Sequence, residues 1–389
     1  MADKPRFDGE KVRLGDVCAL VMGQSPSSTS YNADSAGLPF YQGNTDFGAV
    51  HPEAKTWCTD PKKVAEQGDV LISVRAPIGA INVADERCCI GRGIAALRPH
   101  EGLMSQEYLV HLLQSNRKAL EAMGTGSTFK AIGKKALSNF EISLHDPSEQ
   151  QTISAQLGQV LACIKLGERQ FSLLDTLVKS RFVEMFGDPI EHPKWELSLL
   201  KDICSKLGSG ATPRGGKSAY KASGIPLIRS MNVHNGAFIS KELAHIDDEQ
   251  AEKLKGVTLE KGDVLLNITG ASVARSCVLP DELAGGRVNQ HVAIVRADSN
   301  RILPCVLNAT FINASFQRFL LNGSRMAGAT REAITKEDLK NMSVPIPPLS
   351  LQQEFADFVA QVDKSRFVVQ QQIDKLQTLY DSLAQEYFA

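Results

Sequence analysis

Leu14-Gly15-Asp16-Val17-Cys18 returns as Leu200-Lys201-Asp202-Ile203-Cys204, and this recurrence decides how the rest of the chain is read. Working outward, Pro26, two residues after Gln24, returns as Pro213. Gly37-Leu38-Pro39-Phe40 returns as Gly224-Ile225-Pro226-Leu227, and Gly68-Asp69-Val70-Leu71-Ile72 as Gly262-Asp263-Val264-Leu265-Leu266. Ile94 to Arg98 matches Val292 to Arg296, and Gly126-Ser127-Thr128 through Ile132 matches Gly328-Ala329-Thr330 through Ile334. The offset grows in one direction, from 186 through 187, 194 and 198 to 202. Chance matches would scatter. A drifting offset means one module present twice, with loop insertions in the second copy.

Each copy has two parts. The first is rich in short apolar runs such as Val70 to Val74 and Val292 to Val295, broken by Gly and Pro turns, which predicts strands. The second predicts one long helix. It opens after Pro147 with Ser148 and Gln151, and in the second copy after Pro348 with Ser350 and Gln353, both read as Ser-x-x-Gln capping boxes. Apolar residues then follow at alternating spacings of four and three: Ile153, Leu157, Val160, Ile164, Phe171, Leu174 and Val178 in the first. The second shows Phe355, Val359, Val362, Val369, Ile373, Leu376, Tyr380, Leu383 and Tyr387. This is a heptad-like seam. A helix from Ser148 to Phe186 would be roughly 55–60 Å long and must bury its stripe on something. The economical partner is the other copy, antiparallel, with Gly167 and Arg366 interrupting the two seams near mid-helix.

Two prolines, Pro189 and Pro193, end the first helix within Asp188 to Trp195. The expected organisation is therefore a globular module over 1–146, a long helix over 147–187, a linker over 188–194, a second module over 195–347 and a second helix over 348–389. The fold class is α+β, a tandem duplication of a mixed α/β domain plus a long helix. The chain's 389 residues, 43% hydrophobic and 22% charged, leave room for this.

The bulk composition narrows the function classes. No run approaches the length of a membrane-spanning helix, and Met1 to Pro5 lacks the apolar core of a secretory signal. Eight cysteines without a Cys-x-x-Cys pair read as reduced, mostly buried thiols, which implies the cytoplasm. The net charge of −1 weighs against a nucleic-acid partner, but charge is unevenly spread. Arg117, Lys118, Lys130, Lys134 and Lys135 cluster against Glu121 alone.

Catalytic signatures are wanting. Gly91-Arg92-Gly93-Ile94-Ala95-Ala96 fits a loose dinucleotide pattern, yet no acidic residue follows at the distance of a ribose ligand. Its repeat counterpart, Asn289 to Ile294, has no glycine, so the start of a strand is the better reading. There is no Asn-Pro-Pro-Tyr or Asp-Pro-Pro-Tyr tetrapeptide and no phosphate loop of a motor. The histidines are dispersed without a zinc-binding set. Asp69 and Asp263 repeat at a strand start, where a turn role is the simpler account. No catalytic, metal or cofactor-binding residue is expected in this chain.

The duplicated order of module and helix, with Lys179 to Phe186-Gly187-Asp188-Pro189, Gly23-Gln24-Ser25-Pro26, Arg75-Ala76-Pro77-Ile78-Gly79 and Pro345 to Leu349 with Gln352-Gln353, resembles the specificity subunits of type I restriction–modification systems. The resemblance covers essentially the whole chain. It implies two target-recognition domains carried on an antiparallel coiled-coil spacer, each reading one half of a bipartite site in double-stranded DNA. It also implies two methyltransferase subunits as partners, with S-adenosylmethionine bound by them, and an endonuclease subunit, if present, using ATP and Mg. Modules separated by roughly 35–50 Å would meet DNA about 10–15 base pairs apart. Ser27 to Tyr31 has nothing like Arg214-Gly215-Gly216-Lys217, so the two half-sites should differ.

Polar residues on loops beside glycines can approach bases or phosphates; arginine suits guanine, and asparagine or glutamine suits adenine. On that basis the DNA contacts expected in the first module are Gln24, Gln42, Asn44, Arg75, Arg92, Ser127, Lys130 and Lys134. In the second they are Arg214, Lys217, Arg229, Asn232, Asn289, Gln290, Arg325 and Arg331. The alternative for each is a turn residue or a solvated side chain. The competing function is a coiled-coil scaffold that binds protein rather than DNA.

Overall fold

The computed structural model of the chain describes residues 9–126, 130–326 and 333–388. The chain divides into two compact units, Met1–Arg169 with Gln370–Ala389, and Gln170–Val369. Each long helix contributes to both units.

The same topology is built twice. Glu10–Arg13 pairs antiparallel with Glu141–Leu144 in the first unit, as Leu197–Leu199 pairs with Ser343–Pro345 in the second. The central four-stranded sheet runs Cys18–Met22, Ile94–Pro99, Val70–Ser73, Ile81–Val83 in the first unit. Its counterpart runs Cys204–Ser209, Val292–Ala297, Val264–Asn267, Ser276–Val278. A second sheet holds Leu38–Tyr41 parallel to Cys88–Ile90, matched by Ile225–Ile228 parallel to Arg287–Val288.

The apolar runs of the central strands are continuous because both faces are covered. Successive side chains point to opposite faces. Val70, Ile72, Ala95 and Leu97 enter the core beneath the long helix, while Leu71, Ile94 and Ala96 enter a second core with Tyr41 and Ile90. Val264, Leu266, Ala293 and Val295 separate from Leu265, Val292 and Ile294 in the same way. Each fully buried Leu or Ile contributes about 1.5–3 kcal/mol.

Asp69 and Asp263 hold the start of this central layer. Asp69 is buried, accepts Arg98 Nε at 2.7 Å and Nη2 at 2.8 Å, and takes the Glu66 amide at 2.8 Å. Asp263 accepts Arg296 Nε at 2.7 Å and Nη2 at 3.0 Å, with the Glu260 amide at 2.8 Å. The repeated aspartates are structural.

The long helices span Pro147–Phe186 and Leu349–Phe388. Neither starts in a Ser-x-x-Gln capping box. Asp146 caps the first: its Oδ1 accepts the amides of Ser148 at 2.9 Å and Glu149 at 3.0 Å. The Glu149 amide bond first, then the Ser148 hydroxyl, hold this carboxyl below its ordinary value. Gln151 and Gln353 are exposed. The glutamines that matter precede them by one residue. Buried Gln150 accepts the Ser105 amide at 2.9 Å and donates to Leu103 and His145 carbonyls at 2.7 and 2.8 Å. Buried Gln352 accepts the Leu303 amide at 2.8 Å and donates to the Arg301 and Pro347 carbonyls at 3.0 and 2.8 Å. Each fastens a helix to its module.

Within each unit the two helix segments run antiparallel. In the first unit Tyr387 donates to Gln156, and Ile373 lies over Gly167. In the second, Arg181 reaches Glu354 at 2.7 Å, and Arg366 pairs with Asp175. The two interruptions of the seam thus have physical roles. A Cβ at Gly167 would stand 2.8 Å from Ile373 Cγ1, so glycine permits the close approach. Arg366 carries its charge out to a carboxylate across the pair.

The first long helix ends on Phe182 and Phe186, whose rings lie 5.8 and 5.3 Å from that of Phe355. Gly187 then takes φ +81°, which stops the helix. Asp188 accepts the amides of Ile190 at 2.9 Å and Glu191 at 2.8 Å. Among the described residues, no helix is long and apolar enough to cross a membrane.

Candidate nucleic-acid interface

In the first unit, strand Leu38–Tyr41 runs out into Gln42-Gly43-Asn44, and Asp46 Oδ2 accepts the Gln42 amide at 2.7 Å to hold that turn. Beside it passes Gly91-Arg92-Gly93. A Cβ at Gly93 would meet the Gln42 carbonyl at 2.3 Å, and one at Gly91 would lie 3.1 Å from Gln42 Cα. This crossing of two backbones is what requires the glycines. Ser25 Oγ accepts both the amide and Nε of Arg92 at 3.4 Å. The result is a polar cleft of about 220 Å³ lined by Ser25, Gln42, Asn44, Arg75 and Arg92 with their flanking glycines.

Four of the expected contacts, Gln42, Asn44, Arg75 and Arg92, therefore converge. Gln24 is exposed one residue before the cleft-lining Ser25, and Lys130 and Lys134 are exposed. An isolated bridge between Arg75 and Ala131 brings the segment of Lys130 to the cleft's edge. Ser127 lies outside the described residues.

In the second unit the corresponding surface is a groove of about 430 Å³ lined by Ser230, Met231, Thr269, Ser272, Arg275 and His291, among others. Gln290, next to it, is exposed. Two expected contacts need correction. Asn232 is fully buried, donates to the Ile239 and Lys241 carbonyls at 2.8 and 3.2 Å, and accepts the Arg229 amide at 3.1 Å, so it holds the loop. Asn289 is buried, and its Oδ1 accepts the His291 amide at 3.2 Å. Arg229 is half-buried, donates to the Glu242 carbonyl and lies 5.5 Å over the Tyr220 ring. Arg214 is exposed. Arg331 and the side chains of Lys217 and Arg325 lie outside the described residues.

Ser25, Thr269, Arg275 and His291 line these surfaces without belonging to the contacts expected from the sequence. The repeat carried the signal for Thr269, because it stands at the offset of 194 from Arg75. Arg275 had none. Among the described residues no group of His, Cys, Asp or Glu could hold a metal ion. Burial pushes the thiols of Cys18, Cys88 and Cys277 up to about 12, which leaves them inert as nucleophiles at neutral pH.

A twice-built module that ends in a polar loop surface has the form of a duplicated binding protein. A family model described as the type I restriction modification DNA specificity domain matches residues 8–172 and again 193–378. Those matches take in most of the chain, and the chain belongs to that family. A relative named for the MjaX type I restriction enzyme specificity subunit of Methanocaldococcus jannaschii is 36% identical over 165 residues, 42% of this chain and 39% of that relative. The chain thus spans well under half of that relative's length. The MjaIX specificity subunit of the same organism is 25% identical over 347 residues, 82% of this chain and 77% of the relative. The crystal structure of a type I restriction–modification S subunit from M. genitalium has the same fold. It covers 100% of this chain and 98% of its own, with a TM-score of 0.54 and 13% identity.

Proposed function

We propose that this chain is the DNA sequence-specificity subunit of a type I restriction–modification complex, each module reading one half of an asymmetric bipartite site in double-stranded DNA. The observation that carries this reading is the pair of loop-end surfaces. Both are held by matching backbone hydrogen bonds, while the side chains exposed on them differ. Equal frames with unequal faces suit two unlike half-sites.

On this reading residues 1–146 and 195–347 are the recognition domains, and 147–187 and 348–389 form an antiparallel coiled-coil spacer, joined through 188–194. In the first module Gln24, Gln42, Asn44, Arg75, Arg92, Lys130 and Lys134 face DNA, and in the second Arg214 and Gln290. Exposed apolar side chains on the long helices support docking of two methyltransferase subunits: Leu166 and Leu379 in one unit, Leu173, Leu177, Phe367 and Val368 in the other. The chain itself is non-catalytic and works in the cytoplasm. S-adenosylmethionine belongs to the methyltransferase, and ATP with Mg to an endonuclease subunit where one joins.

The test is to co-express the chain with the methyltransferase encoded beside it and map methylated sites. Exchanging residues 1–146 for the corresponding module of a relative should change one half of the site and leave the other. An unchanged methylation pattern would overturn the proposal.

A further inference from the structure

The two modules can be aligned residue by residue through their own hydrogen bonds, without reference to sequence similarity. Gly23 donates to Ile94 O at 2.9 Å, as Gly210 does to Val292 O at 2.8 Å. The Gly91 amide meets Tyr41 O at 2.8 Å, as Asn289 meets Ile228 O at 2.9 Å. Val74 takes Gly93 O at 2.9 Å, as Ile268 takes His291 O at 3.0 Å. Between these fixed points the Arg92 amide donates to Ser25 Oγ at 3.4 Å, and the Gln290 amide donates to Thr212 Oγ1 at 3.4 Å. Arg92 and Gln290 are therefore the same position in the two modules.

That position has an unusual combination of properties. Its backbone is held by a hydroxyl and lies between two strands, so the side chain can change without disturbing the frame. Both side chains are exposed. Among the described residues, the terminal nitrogens of Arg92 make no hydrogen bond, because only Nε is tied to Ser25. The Gln290 amide group likewise has no partner among them. A guanidinium is complementary to the acceptor pair N7 and O6 of guanine, and a primary amide to the acceptor N7 and donor N6 of adenine.

Resting on the recognition function proposed above, we infer that this shared position is a specificity-determining site. Arg92 selects guanine in the half-site of the first module, and Gln290 selects adenine in the half-site of the second. Ser25 and Thr212 are positioning residues that fix where each side chain leaves the frame.

The experiment is selection from randomised DNA duplexes by the full chain in complex with its methyltransferase, for wild type, Arg92→Gln, Arg92→Lys and Gln290→Arg. Arg92→Gln should turn one column of one half-site from guanine to adenine, a preference change of roughly 5- to 150-fold, with the other half untouched. Gln290→Arg should turn one column of the other half-site from adenine to guanine. Arg92→Lys keeps the charge but loses the planar fork, so it should flatten the column while total DNA binding persists. A bipartite site whose columns none of these variants alters would overturn this inference alone. Failure of the wild-type complex to enrich any sequence would overturn the recognition function and this inference with it.

Discussion

Asp188 shows how one side chain secures the end of a forty-residue helix. Its Oδ1 takes two backbone amides and the Ser315 hydroxyl, the last at 2.6 Å. Burial pushes this carboxyl up, but the Ser315 hydroxyl and the Glu191 and Ile190 amides outweigh it and hold it below its ordinary value. A depressed carboxyl binds its proton more readily in the unfolded chain. Its stabilisation is therefore complete above the ordinary range near pH 4 and is lost as pH falls through the folded value. Ser315→Ala should raise the Asp188 titration toward the ordinary range and shrink this acid-sensitive contribution, read by NMR titration of the carboxyl. An unmoved titration would contradict the account. The same scale explains why site residues were only partly legible. Asn232 and Asn44 look alike in sequence, each polar and on a loop. Burial turns the first inward to carbonyls and leaves the second at the cleft.

Among elements, the first long helix carries an internal control in its two interior glycines. Gly158 has open space where a Cβ would go, whereas at Gly167 that Cβ would press on Ile373. Both gain helix propensity on becoming alanine, about 1 kcal/mol. Gly158→Ala should therefore raise the melting temperature, and Gly167→Ala should give no gain or a loss, because Ile373 must shift. Equal stabilisation by both in thermal unfolding would rule out the close approach. The seam itself was legible in the spacing: Ile153, Leu157, Ile164 and Val178 are buried, as are Phe355, Val362, Val369, Tyr380 and Tyr387. The helix starts were legible to within a residue but their caps were not, because a capping signal and a buried glutamine one residue away differ only in what the module places beside them.

For the whole molecule, the net charge of −1 means that DNA affinity cannot rest on a basic surface overall. On the proposed function it comes from exposed cations of the loop ends, such as Arg75, Arg92, Lys130, Lys134 and Arg214. Binding by the methyltransferase complex should still fall steeply with salt; six or more phosphate contacts would weaken it about a thousandfold or more between 50 and 200 mM. A salt-independent affinity, measured by fluorescence anisotropy, would favour a protein scaffold instead. The sequence by itself determined the duplication, the alternation of module and long helix, and the apolar seams. These follow from periodicity and from a drifting offset, which local residue order carries. Only the tertiary structure decided that Gln42, Asn44, Arg75 and Arg92 share one cleft, that Asn232 and Asn289 do not face solvent, and that a hydroxyl holds the backbones of Arg92 and Gln290 alike. Those facts depend on contacts between strands far apart in the chain, and hydrogen bonds across such distances leave no local pattern to read.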